Sequence, residues 1–155
     1  MESANLVIDE WLWADLGCDD SARRNEAFQF LKAIFAKCDK MVLVKDSPFA
    51  RKADAFWSHT DWPRRQIAIY LNEKFWWNTE KTLRKNADEL LELPEIFQDE
   101  VKPADRYLVS AFLTTNAQVI VTTDNPLIDT LRKHGITCEH REKFLPSYIA
   151  QYGLR

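Results

Sequence analysis

Short apolar runs alternate with longer stretches in which apolar residues recur every three or four positions. Leu6–Ile8 is brief, partly β-branched and ends at Asp9, which reads as a buried strand. Met41–Val44 reads the same way. Val119–Val121 is the clearest of these runs and passes into Thr122-Thr123-Asp124-Asn125. Ile136–Cys138 reads as a last strand. Between them, Ala27, Phe28, Leu31, Ile34 and Phe35 make one helical stripe over 26–37. Ser47 as cap and Pro48 at the first position predict a helix to about Trp57. Pro63 opens another through Ile67, Ile69, Tyr70 and Leu71. Thr79 caps a further one, with its stripe at Leu83, Ala87, Leu90 and Leu91. Pro103 opens the next, carrying Leu108, Ala111, Phe112 and Thr115. Pro126 opens one with Leu127, Ile128 and Leu131 that closes near Gly135. Pro146 opens a final short helix reaching Tyr152.

Strands alternating with helices predict an α/β sandwich with a mostly parallel sheet. The middle, 48–102, reads as helix only, an insertion between sheet elements. Repeats, low-complexity tracts and linkers are not evident, so 1–155 reads as a single domain. A chain of 155 residues with 46% hydrophobic residues is sufficient to bury a core.

Composition narrows the chemistry. Only three glycines occur, and neither a P-loop pattern nor G-x-G-x-x-G is present. The net charge of −3 means that a nucleic-acid binder would need a local basic patch. Arg51-Lys52 and Arg64-Arg65 are candidates for it, as is Arg23-Arg24; each pair also fits ordinary solvated surface. The three cysteines Cys18, Cys38 and Cys138 form no C-x-x-C pair, which argues for a reducing compartment. The first ten residues hold Glu2, Asp9 and Glu10 and lack a signal-peptide pattern. Apolar runs fall short of the roughly 20 residues that span a bilayer. A cytoplasmic protein with no membrane partner is expected.

Asp9 and Asp124 fall at or just past strand ends, and Asp105 lies two residues after Pro103 in the first turn of a helix. In an open parallel sheet the carboxyl ends of the strands line the ligand crevice. Carboxylates gathered there repel one another, and a divalent cation resolves the conflict. Hard oxygen ligands suit Mg²⁺ or Mn²⁺, which support phosphodiester hydrolysis by activated water. Each acid also has a structural reading: Asp124 as a helix cap, Asp105 as a complement to a helix dipole, Asp9 as a turn residue.

Three segments, Asn5-Leu-Val-Ile-Asp9, Lys102-Pro-Ala-Asp105-Arg-Tyr-Leu-Val-Ser-Ala111 and Val119-Ile-Val-Thr-Thr-Asp124-Asn125 with Gly135-Ile136 beyond it, resemble the PIN-domain nucleases. These include many toxin ribonucleases and RNA-processing enzymes. The likeness covers both ends of the chain well and the middle poorly. It implies a PIN-like three-layer sandwich, and Mg²⁺- or Mn²⁺-dependent cleavage of single-stranded or structured RNA by Asp9, Asp105 and Asp124. It also implies a glutamate on the helix after the second strand, near Lys52. The chain has Arg51-Lys52-Ala53-Asp54 there. Asp54 is the nearest substitute, turned about 200° around the helix, and Glu26 is a fainter one. Without a fourth acid the chain would be a catalytically weakened nucleic-acid- or protein-binding module. Thr122, Thr123 and Asn125 are expected to orient the carboxylates or to serve as turn and cap residues.

Histidine catalysis is not expected from His59, His134 or His140, because none has a nucleophile or acid beside it. The six tryptophans mostly suit core packing. Some could stack on unpaired bases beside Arg64 and Arg65. Others could form a face for a homodimer or an antitoxin-type inhibitor, foremost at 73–77.

Overall fold

Residues 3–58 and 61–153 are described by the structure, a computed structural model; His59 lies outside them. Five strands form one sheet: β1 (Asn5–Ile8), β2 (Lys40–Val44), β3 (Thr82–Lys85), β4 (Val119–Thr122) and β5 (Cys138–His140). Their order is β3-β2-β1-β4-β5 and every pairing is parallel. Helices α1 (Trp11–Gly17) and α2 (Ser21–Ala36) join β1 to β2. Helices α3 (Pro48–Phe56) and α4 (Trp62–Leu71), with a π-helical turn at Asn72–Trp76, join β2 to β3. Helices α5 (Glu95–Glu100) and α6 (Arg106–Thr115) lead to β4. Helix α7 (Asn125–Lys133) leads to β5, and α8 (Arg141–Gly153) follows.

The period-two geometry of strands sorts their side chains onto two faces. Leu6, Ile8, Met41, Leu43, Val119 and Val121 meet apolar residues of α1, α2, α3, α4 and α8. Val7, Val42, Val44, Ile120 and Cys138 meet residues of α5, α6 and α7. Helices therefore cover both faces, which is why these strands read as continuous apolar runs. The arrangement is a helix–sheet–helix sandwich. Among the described residues, no helix is long and apolar enough to cross a membrane.

The structure corrects three of the expected elements and adds two helices. The segment expected to be a helix capped by Thr79 is instead β3, followed by a short 3₁₀ turn at Ala87–Glu89. The 48–102 region is thus not helix only. The Leu83–Leu91 spacing matches a helical stripe, but the open edge of β2 supplies backbone partners from Met41 to Val44, and tertiary pairing overrides local pattern. The strand's start is pinned by Thr82 Oγ1, which donates to Phe75 O at 2.7 Å. It is also pinned by buried Lys81, whose Nζ donates to Ile34 O (3.1 Å) and Lys37 O at the end of α2. Two helices, α1 and α5, lack the usual side-chain cap bond and had no sequence signal. The last strand lies two residues later than Ile136–Cys138. Pro146 falls inside α8 rather than opening it.

Successive strands step outward from β1 to β3, and the chain then returns to the other side of β1 as β4. The order reverses between β1 and β4, and that switch point is where an open parallel sheet leaves a crevice at its carboxyl edge.

Candidate functional site

Asp9 follows β1 and Asp124 follows β4, so both stand at this crevice. Chain direction brings Asp105 to the same edge: β3 exits there, and α6 must run back toward the amino edge before β4 can start. Asp105 is the residue that enters α6 and makes no capping hydrogen bond.

Thr122, fully buried, ties the two strand-end acids together. Its Oγ1 donates to Asp9 Oδ2 at 2.7 Å and accepts from Asp124 N at 3.2 Å. Asp9 Oδ1 accepts from Glu10 N at 2.7 Å. Asp124 Oδ1 caps α7 through Leu127 N at 3.1 Å. Each carboxylate is thus oriented and still has lone pairs to offer, since a carboxylate has about four acceptor sites. The side chains of Thr123 and Asn125 are exposed and make no hydrogen bond among the described residues.

Burial, and then the Asp9 and Asp124 carboxylates, push the Asp105 carboxyl above its ordinary range; Glu10 adds to this and Lys102 opposes it. The acids therefore share one electrostatic field. Burial, with Asp9 and Glu10 next, also pushes the Tyr107 phenol up, so Tyr107 stays protonated at neutral pH. Glu10 and Tyr107 had not been singled out in the sequence. Glu10 sits beside Asp9, and Tyr107 follows Asp105 by two residues.

The raised Asp105 has a consequence for stability. A carboxyl with a raised folded pKa binds its proton more tightly in the folded state. The penalty is present at neutral pH and is relieved as pH falls through the folded value. Asp105→Asn should therefore stabilise the cation-free protein, by up to about 1 kcal/mol given the screening of a partly exposed group. Urea unfolding at pH 7 measures this.

The donor set suits a small hard cation. Among the described residues, no three His, Cys, Asp or Glu side chains are close enough to enclose one. The acids instead frame an open edge beside a small depression lined by Lys102, Asp105, Asp124 and Thr130. If the acids take up Mn²⁺, Thr122→Val should weaken its binding about 10- to 100-fold, as loss of an orienting partner does. Thr122→Ser should restore it. Mn²⁺ titration calorimetry reads both.

The other sequence candidates lie elsewhere. Asp54 is exposed on α3 and faces a separate pocket with Trp76 and Arg84. Lys52 is on the acidic side of α3, with Nζ 3.8 Å from Glu10 Oε2. Glu26 pairs with Arg141. Arg51 and Arg65 are exposed. Arg64 is occupied structurally, bonding Gly17 O, Asp61 and Asp19 at 2.6 Å each. His134 ends α7 and bonds Glu100 at 2.6 Å, and His140 accepts from Glu142 N. Burial pushes the Cys138 thiol up to about 12, which leaves it unreactive. Trp11 and Trp13 are core residues, Trp57 and Trp76 pack edge to face, and Trp62 and Trp77 are 71% and 72% exposed.

No protein-family model matches the chain, and no curated protein matches its sequence.

Proposed function

We propose that this protein is a metal-dependent endoribonuclease with a PIN-like sandwich, working at the β1/β4 edge. The observation that carries the reading is the pair of strand-end acids, Asp9 and Asp124, tied together by Thr122 at the switch point, with Asp105 entering α6 at the same edge. Asp9, Asp105 and Asp124 would hold Mg²⁺ or Mn²⁺. Bound there, the cation would supply charge neutralisation at the scissile phosphate and an activated water for in-line hydrolysis. Thr122 fixes the Asp9 carboxylate and, through the Asp124 amide, the geometry of the strand end. The N-termini of α6 and α7 point their dipoles toward the acids and offset part of their repulsion. The substrate is RNA, single-stranded or structured, and the working compartment is the cytoplasm. A toxin-type or RNA-processing role belongs to the same reading, with an antitoxin-type inhibitor or a second copy as protein partner.

One observation favours a second reading, a catalytically weakened binding module. Lys52, not an acid, approaches the cluster from α3. A cleavage assay on end-labelled single-stranded RNA separates the two. The nuclease reading expects cuts with Mg²⁺ or Mn²⁺ and none in EDTA. Intact RNA under all conditions favours the binding module, and equal cleavage in EDTA rejects metal dependence.

A further inference from the structure

A second pocket opens on the same sheet edge, at the carboxyl ends of β2 and β3. It measures about 230 Å³, and its rim includes Lys45, Asp46, Asp54, Trp76, Arg84 and Lys85. It exists because 82–85 is a strand: as β3, the segment brings Arg84 and Lys85 level with Leu43 and Val44. Arg84 is the residue to explain. Its guanidinium lies 5.1 Å from the Trp76 ring centroid and 4.8 Å from that of Trp77, and it also donates to Trp76 O. The residue is exposed, and partial desolvation by the two rings and the strand lowers its pKa. Among the described residues it has no carboxylate partner, although Asp46 and Asp54 share the rim. Among the described residues Lys45 has no ion pair, and Lys85 lies 4.0 Å from Glu89.

A cation stacked on two indoles and left without a carboxylate partner can accept an incoming anion. Its side chain is already ordered, so binding costs little further rotamer entropy. The three cations outnumber the two carboxylates of the rim. Helix α3 separates this pocket from the acidic edge, with Lys52 on one side and Asp54 on the other. Two strand spacings, about 10 Å, separate β3 from β1, so the pocket lies within reach of nucleotides flanking one at Asp9.

We propose that this pocket binds a backbone phosphate of single-stranded RNA, with Arg84 as the principal contact and Lys45 and Lys85 beside it. The proposal rests on the RNA-directed reading of the acidic edge and extends it to the substrate's path.

The test is fluorescence anisotropy of a labelled single-stranded oligoribonucleotide in EDTA, repeated over a range of salt. Each phosphate contact on a single strand contributes about 0.7 to the slope of log K against log salt. Arg84→Gln should weaken binding about fivefold or more and reduce the slope by about 0.7. Arg84→Lys, which keeps the charge, should hold the slope. Lys40→Gln, at the amino edge of β2, should change neither quantity. If Arg84→Gln melts like wild type yet leaves affinity and slope unaltered, the pocket is not a phosphate site. An equal loss in Lys40→Gln would overturn the assignment too. Because the assay contains no metal, it is independent of cleavage. Arg84-dependent binding without cleavage on adding Mn²⁺ would end the nuclease reading alone. Cleavage by a protein whose salt slope ignores Arg84 would end the pocket proposal alone.

Discussion

Asp9→Asn should lower metal-dependent RNA cleavage by about 10²- to 10⁴-fold, because the metal's stabilisation of transition-state charge is worth several kcal/mol and each 1.36 kcal/mol is tenfold in rate. Asparagine keeps the shape of aspartate and can keep one of the two bonds that Asp9 accepts, from Thr122 Oγ1 or from Glu10 N, so the strand end should stay in place. What is lost is one negative charge from a site whose acids already act on Asp105. The same substitution at Asp124 should act similarly, with less effect on folding than Asp124→Ala, since Asn still caps α7 through Leu127 N. Single-turnover cleavage with Mn²⁺ in excess gives the rates, and thermal melts show whether the fold survives. Cleavage that persists in both variants would place the chemistry elsewhere.

Arg141→Leu should destabilise the protein by about 3–5 kcal/mol, a large share of a typical domain's 5–15 kcal/mol. Arg141 is 1% exposed. Its Nε donates to Asp15 Oδ2 at 2.7 Å, and its Nη1 donates to Glu26 and, at 3.4 Å, to Glu142. Asp15 is itself buried and is held from the other side by Arg23 Nε at 2.6 Å. Removing Arg141 leaves the buried Asp15 carboxylate with only a partly exposed partner. Arg141 Nη2 is buried without a hydrogen-bond partner, so the native network is not fully satisfied and the lower half of the range is the better expectation. A double variant, Asp15→Asn with Arg141→Leu, should recover part of the loss, because the uncompensated charge goes with it. Urea unfolding of both variants beside wild type measures this. A loss below about 1 kcal/mol would mean that Arg23 alone suffices for Asp15.

This network also connects stability to the acidic edge. The Arg141 guanidinium lies over the Trp11 ring at 5.6 Å, and Trp11 Nε1 donates to Val121 O at 2.8 Å. Val121 leads into Thr122 and Asp124. The buried cation thus braces the strand that presents two residues of the candidate site.

What the sequence revealed depended on whether the signal was local. The strands around Leu6–Ile8 and Val119–Val121 are short apolar runs buried on both faces, so pattern alone identifies them and places Asp9 and Asp124 at their ends. Helix α7 carries its own signals, Asp124 as cap, Pro126 near its start and a positive φ of 78° at Gly135 beyond its end. The segment at 82–85 has no such local marker. Leu83, with Ala87, Leu90 and Leu91 beyond it, suits a helix, and only the open edge of β2 makes the segment a strand. Arg84 was invisible as a site residue for the same reason. The Asp15–Arg141 pair spans 126 residues, and such a pairing has no sequence periodicity. The fourth acid was sought one turn into α3, and there the fold turns Lys52 toward Glu10 and Asp54 toward the other pocket. Glu10 also acts on Asp105, but beside Asp9 in the sequence it reads as part of an acidic N-terminus.

The most direct test of the three-aspartate cation site is a thermal-unfolding titration with Mn²⁺ on wild type and Asp9→Asn. A ligand that binds only the folded state stabilises it by about 2.7 kcal/mol at a hundred times its dissociation constant. Wild type should show a saturable rise in Tm that Asp9→Asn loses. No rise in wild type, or an equal rise in the variant, would contradict the site.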